Sequence, residues 1–87
     1  MSDYLPIGSV IKLRGTDRKL MITAYDVTVN DSPKSFDYGG CFYPIGMVTN
    51  EDMLVFNKFQ IEEVLYKGYE SEEQKEFIEL LNRERKQ

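Results

Sequence analysis

The sequence predicts an α+β fold: a small, strongly bent antiparallel sheet or SH3-like barrel of about five strands with a C-terminal helix. Three observations carry this. Short apolar runs alternate with polar residues through the first two-thirds of the chain, punctuated by Gly, Pro, Asn and Asp. Beyond Gly68-Tyr69 the apolar period lengthens to that of a helix. The 87 residues suffice for a single domain, 1–87, with a β-rich body over 4–69 and an amphipathic helix over 71–86. An open meander with the helix across one face is the alternative to a barrel.

Leu5-Pro6-Ile7-Gly8 is a turn that starts the body. In Ser9–Arg14, Ile11 and Leu13 fall on one side and Lys12 and Arg14 on the other, the pattern of a half-buried strand. Gly15-Thr16-Asp17-Arg18 is a short connection to the β-prone run Lys19–Val27, so the two make an antiparallel hairpin. Thr28–Ser35, with Asn30, Asp31, Ser32 and Pro33, is a loop. Phe36–Tyr43 is an aromatic-rich strand in which Gly39-Gly40 marks a bulge or a close backbone approach. Pro44-Ile45-Gly46 turns the chain, and Met53–Phe56 is a fourth strand. Pro-Ile-Gly at 6–8 and 44–46 is one turn chemistry used twice, since the flanking residues do not match.

Asn57 and Gln60 have capping-box spacing, which gives one helical turn over Phe59–Val64 before a fifth strand at Leu65–Tyr69. Ser71 and Gln74 repeat that spacing at the start of the final helix. Glu72 and Glu73 in its first turn, and Arg83, Arg85 and Lys86 near its end, complement the helix dipole. Phe77, Ile78, Leu80 and Leu81 form one apolar stripe. A helix this short is marginal alone, so it must dock on something.

The composition points away from most enzyme chemistry. With no histidine, the usual general base near neutral pH and the Ser-His and Cys-His nucleophile pairs are missing. Cys41 is the single cysteine and reads as a small buried hydrophobe, with no partner for a disulfide or a Cys/His zinc site. The adjacent carboxylates Glu51/Asp52, Glu62/Glu63 and Glu72/Glu73 point apart, so they read as solvated or capping groups and not as a catalytic pair. Neither Asn30-Asp31-Ser32 nor Asn50-Glu51-Asp52 has calcium-loop spacing, and Gly39-Gly40 precedes no helix that could cradle phosphate. The expectation is a non-enzyme without cofactor or metal.

The formal net charge is −4, with eight of the acidic groups in residues 60–87. The one basic cluster, Lys12, Arg14, Arg18 and Lys19, reads as a solvated hairpin tip, so nucleic-acid binding through an SH3-like module ranks third among the functions. The start Met1–Pro6 has no signal-peptide pattern and no apolar run reaches membrane-spanning length, so a cytoplasmic location without a membrane span is expected. What remains is a binding surface. Tyr38, Phe42, Tyr43, Tyr66 and Tyr69 exceed what a small core needs, and with Phe77 and Leu81 of the helix they form the candidate protein-binding surface. The exposed tyrosines and edge strands also leave homodimerisation open.

Leu5–Val10, Lys19–Ile22, Asp37–Gly46 and the run Phe56-Asn57, Ile61, Val64, Gly68-Tyr69, Glu72-Glu73 resemble a family of small Gram-positive bacterial proteins. That family is catalogued as a domain of unknown function, and its genes often lie beside LXG-type toxins of the type VII secretion system. The resemblance spans roughly residues 4–77 and is most specific at Asp37-Tyr38 and Tyr43-Pro44-Ile45-Gly46. It implies a non-enzymatic accessory protein that binds an LXG toxin, or the toxin's small helical partners, and helps present it for export. A toxin-neutralising immunity protein is the alternative, since an acidic surface suits masking a basic catalytic cleft. The resemblance carries over no catalytic residue.

Overall fold

The computed structural model describes residues 4–29 and 34–85. The loop residues Asn30, Asp31, Ser32 and Pro33, the leading Met1-Ser2-Asp3 and Lys86 at the expected helix end lie outside the described residues. Five strands, β1 (Val10–Leu13), β2 (Lys19–Thr28), β3 (Ser35–Tyr43), β4 (Leu54–Phe56) and β5 (Ile61–Tyr66), precede one helix, α1 (Glu72–Arg85). All pairings are antiparallel and the sheet order is β4-β3-β2-β1-β5. The sheet stays open with the helix on one face, so no SH3-like barrel forms; β1–β4 run as a meander and β5 returns to pair with β1 at the other edge. The edges β4 and β5 do not pair with each other. Among the described residues no helix is long and apolar enough to cross a membrane.

Strand alternation sorts the sheet into two faces. Ile11, Leu20 and Ile22 point to the helix side and pack with Ile78 and Leu81 of α1, while Val10, Met21 and Cys41 share the opposite face. One residue changes this parity. Thr23 has no register partner, because Ile22 pairs with Gly40 and Ala24 with Gly39. The extra residue is a bulge, and beyond it Tyr25, paired with Tyr38, joins the helix-side core. The Gly pair of β3 lies opposite that bulge. A Cβ on Gly40 would run into the Met21 carbonyl, so the close approach read from Gly39-Gly40 is real and the bulge sits on the neighbouring strand.

The expected helical turn over Phe59–Val64 is shorter and earlier. Lys58–Gln60 makes a single 3-10 turn, after which Ile61 enters β5, four residues ahead of the expected start at Leu65. Gln60 still caps: its side-chain carbonyl accepts from the Asn57 N–H at 2.8 Å. The Asn57 side-chain oxygen Oδ1 accepts from Asp37 N–H, and the Asp37 carboxylate accepts from Lys58 N–H, which clamps this turn to β3. Against β1, Glu62 and Leu65 have no register partner. A second 3-10 turn, Asn50–Asp52, is opened by Thr49, and Asp52 accepts from the N–H groups of Val48 and Thr49 at 2.7 and 2.8 Å. Asp52 is thus a cap, as expected of that carboxylate.

The core between sheet and helix is aromatic. Tyr4 meets Tyr25 and Tyr38 edge-on with centroids 5.2 and 5.6 Å apart, Tyr38 stacks on Phe56 at 5.4 Å, and Phe77 reaches Tyr25 at 6.0 Å. Two hydroxyls in this cluster secure the N-terminal segment. Tyr38 accepts from the Leu5 N–H at 2.8 Å, and Tyr25 donates to the Leu5 carbonyl at 2.5 Å, so both backbone groups of Leu5 are satisfied by side chains. Burial pushes the Tyr38 phenol up from 10.0 to about 12, and burial raises Tyr25 as well.

These shifts predict alkaline destabilisation. Below pH 10 the folded and unfolded chains both keep the Tyr38 proton. Between pH 10 and about 12 the unfolded chain loses a proton that the folded chain holds, so stability falls as pH rises. Two pH units correspond to roughly 2–3 kcal/mol from Tyr38, and Tyr25 acts in the same direction. Urea melts from pH 8 to 12 should show a midpoint that is flat to about pH 10 and then drops. In Tyr38→Phe the drop should shrink by about half or more, and an unchanged drop would exclude Tyr38 as its source.

Candidate functional site

The seven residues of the expected binding surface do not form one surface. Tyr38 is 1% exposed and Leu81 is buried beside it, so both are core and not contact residues. Tyr38 alternates in step with Phe42 along β3 and so faces the helix, and the helix turns Ile78 and Leu81 inward. Phe42, paired with Leu20, packs half-buried against the same core, and the Arg18 guanidinium lies 3.9 Å from its ring centroid. Arg14 donates to the Phe59 carbonyl at 3.0 Å. Two of the four basic residues near the hairpin tip are therefore turned onto the protein itself.

The other four divide between two grooves on opposite sides of the sheet. Tyr43 and Tyr66 belong to the face without the helix. There Gly8, Val10, Lys19, Met21, Tyr43, Leu65 and Tyr66 line an apolar groove of about 580 Å³. Register explains the grouping: Val10 sits between Met21 and Tyr66, and Tyr43 pairs with Lys19, so their side chains share this face. Tyr66 is 64% exposed. The turn following Tyr43 adds exposed Ile45, Met47 and Val48 next to it. Single exposed apolar residues are ordinary on a protein surface, whereas a contiguous set of this kind marks an interaction site.

Tyr69 and Phe77 belong to the helix side. A groove of about 570 Å³ runs between the start of α1 and β2, and its lining includes Ile7, Thr23, Tyr25, Tyr69, Glu73, Gln74 and Phe77. Ser71 accepts from the Gln74 N–H at 3.1 Å, so it is the helix N-cap read from the sequence. The reciprocal half of the capping box is not made. Gln74 Oε1 is buried without a hydrogen-bond partner. Thr23 Oγ1, at the bulge, is also buried and unpartnered. Leaving such a group unmet costs about 1–3 kcal/mol. Spacing gave no sign of this pair, because it depends on a bulge and on a cap left half-made.

The strip joining the grooves is Lys67-Gly68, between Tyr66 and Tyr69. The Gly68 N–H donates to Ser9 Oγ at 3.0 Å, and that hydroxyl donates to the Pro6 carbonyl at 2.7 Å. Ser9 is fully buried. The opening Pro-Ile-Gly-Ser turn and the distant Gly-Tyr pair thus form one structural unit. Among the described residues no cluster of three or more Cys, Asp or Glu side chains is arranged to hold a metal ion.

Residues 4–77 match the family model described as Domain of unknown function (DUF4176). No curated protein and no solved structure matches the chain.

Proposed function

The chain belongs to the DUF4176 family, and from that premise we propose that it is a non-enzymatic, protein-binding accessory factor for export of an LXG toxin by the type VII secretion system. The reading is supported by the likeness of Asp37–Gly46 and Gly68-Tyr69 to small proteins encoded beside such toxins. The observation that carries it is the uncovered sheet face, with Val10, Met21, Tyr43, Leu65 and Tyr66 around one apolar groove. Its occupant is the apolar stripe of a helix from the toxin's N-terminal helical domain or its small helical partners. Strand addition at the edges suits the surface less well. β5 carries Glu62 and Glu63 and two register irregularities, features that blunt an edge, and β4 is only three residues long.

Co-purification of the full chain with the N-terminal helical domain of a neighbouring LXG toxin tests this. A complex is expected. Tyr66→Ala should weaken it by roughly thirtyfold, the scale of a central aromatic contact, while leaving thermal stability within experimental scatter because Tyr66 projects to solvent. Binding to the toxin's C-terminal catalytic domain instead would favour the immunity reading. Failure to bind any toxin domain, with toxin export undiminished after deletion, would remove the proposal. A stable homodimer with Tyr66 occluded would assign this face to self-association.

A further inference from the structure

We propose that the helix received by the uncovered sheet face carries carboxylate side chains beside its apolar stripe, and that Lys12 and Lys19 bind them. The inference rests on the reading of this face as a helix-binding groove and adds the charge pattern of its occupant.

Lys12 and Lys19 are the two basic residues of the β1–β2 hairpin that are not turned onto the protein. Ile11, Leu13 and Leu20 face the helix, so alternation places both lysines on the other side, with Val10 and Met21. They are register partners, one directly opposite the other. Lys19 also pairs with Tyr43 and lines the groove itself, and Lys12 lies two residues along β1 from Val10. Like charges directly opposite one another destabilise a sheet. Glu63 of β5 is in register with Lys12, yet among the described residues neither lysine makes an ion pair. The fold thus sets two ammonium groups against each other at the end of an apolar groove and leaves both without a counter-charge in contact.

Charge and shape together select the occupant. The net charge of −4 comes largely from residues 60–87, and α1 with its glutamates packs on the opposite side of the sheet. At 0.1 M salt the screening length is about 10 Å, so the lysines beside the groove dominate its local field. Two lysines are too few to hold a nucleic acid, which needs a broad basic face. The groove beside them is lined by Val10, Met21, Leu65 and Tyr66, so the occupant must present apolar side chains and carboxylates at a fixed separation. An acidic amphipathic helix does this in one rigid element. Carboxylates at one end of its stripe also fix the direction in which it lies, since a basic end there would add like charge to the lysine pair.

The test is an NMR titration of the isotope-labelled full chain with three stapled helical peptides. They share one leucine stripe and carry Glu, Gln or Lys beside it at one end. The Glu peptide should give saturable shifts at Lys12, Lys19, Met21, Tyr43 and Tyr66. It should bind at least threefold tighter than the Gln peptide, with the Lys peptide weakest. Raising salt from about 0.01 to about 1 M should bring the Glu and Gln peptides together, because the screening length falls from about 30 to about 3 Å. Lys12→Gln and Lys19→Gln should each reduce the preference by about twofold or more. In the double variant the preference should vanish, with thermal stability unchanged or raised because the opposed charges are gone. Equal binding of the three peptides, no saturable binding, a preference that survives in the double variant, or lysine-dependent binding to phosphatidylserine vesicles in place of the peptides would overturn the inference. The toxin reading fails separately, if no toxin domain binds the full chain. If the toxin's N-terminal domain binds the double variant as it binds the wild type while Tyr66→Ala weakens it, the reading stands and the inference is overturned.

Discussion

Tyr38→Ala is expected to leave the domain largely unfolded at 25 °C, while Tyr38→Phe folds with reduced stability. The ring stacks on Phe56 and meets Tyr4 edge-on, and its hydroxyl accepts from the Leu5 N–H. Truncating a fully buried aromatic side chain costs about 3–5 kcal/mol through lost transfer energy and the cavity left behind. Losing the hydroxyl leaves the Leu5 N–H without its partner, for about 1–3 kcal/mol more. Native domains hold about 0.05–0.15 kcal/mol per residue, so a chain of 87 residues has little beyond that sum. Tyr38→Phe keeps the ring and loses only the second contribution. Urea melts followed by far-UV circular dichroism measure both. A Tyr38→Ala protein within about 1 kcal/mol of the wild type would mean that the aromatic cluster is not the centre of the fold.

The burial of Tyr38 also shows what could and could not be read from the residues in order. The hairpin β1–β2, the strand Phe36–Tyr43, the Ser71 cap and the helix were legible because each rests on local pattern: alternation, turn residues and capping spacing. Facing was not. Along β2 the bulge at Thr23 reverses which residues look toward the helix, and it brings Tyr25 inward to meet Tyr38, which alternates in step with Phe42 along β3. No local signal in Met21–Tyr25 announces it; only the Gly39-Gly40 pair across the sheet hinted at a disturbance. The start of β5 was hidden for another reason: the Asn57/Gln60 spacing pointed to a turn running on to Val64, whereas the turn ends at Gln60 and β5 starts at Ile61. Of the expected aromatic surface, Tyr43, Tyr66, Tyr69 and Phe77 are exposed, whereas Tyr38 and Leu81 are buried in the core. Its division into two grooves depends on which strand lies beside which, and that is set by β5 returning to β1.

Gly68→Ala is expected to cost roughly 3 kcal/mol and to impair both grooves at once. A Cβ there would run into the Ile7 carbonyl and lie 3.0 Å from the Ser9 nitrogen. Both obstacles are backbone, so no rotamer change relieves them. The chain must move away from the Pro6–Ser9 turn, which combines an overpacking cost of about 1–3 kcal/mol with the loss of the Gly68 N–H bond to buried Ser9. That displacement acts in two directions along the chain. Tyr66, two residues before, lines the groove on the uncovered face, and Tyr69, the next residue, walls the groove beside α1. Tyr66→Ala and Tyr69→Ala should each weaken only its own face. Gly68→Ala should lower the urea midpoint, shift resonances around both tyrosines, and weaken partner binding at the uncovered face. Wild-type stability in Gly68→Ala would show that the crossing tolerates a methyl group. Resonance shifts confined to one face would show that the two grooves do not share this strip as their common support.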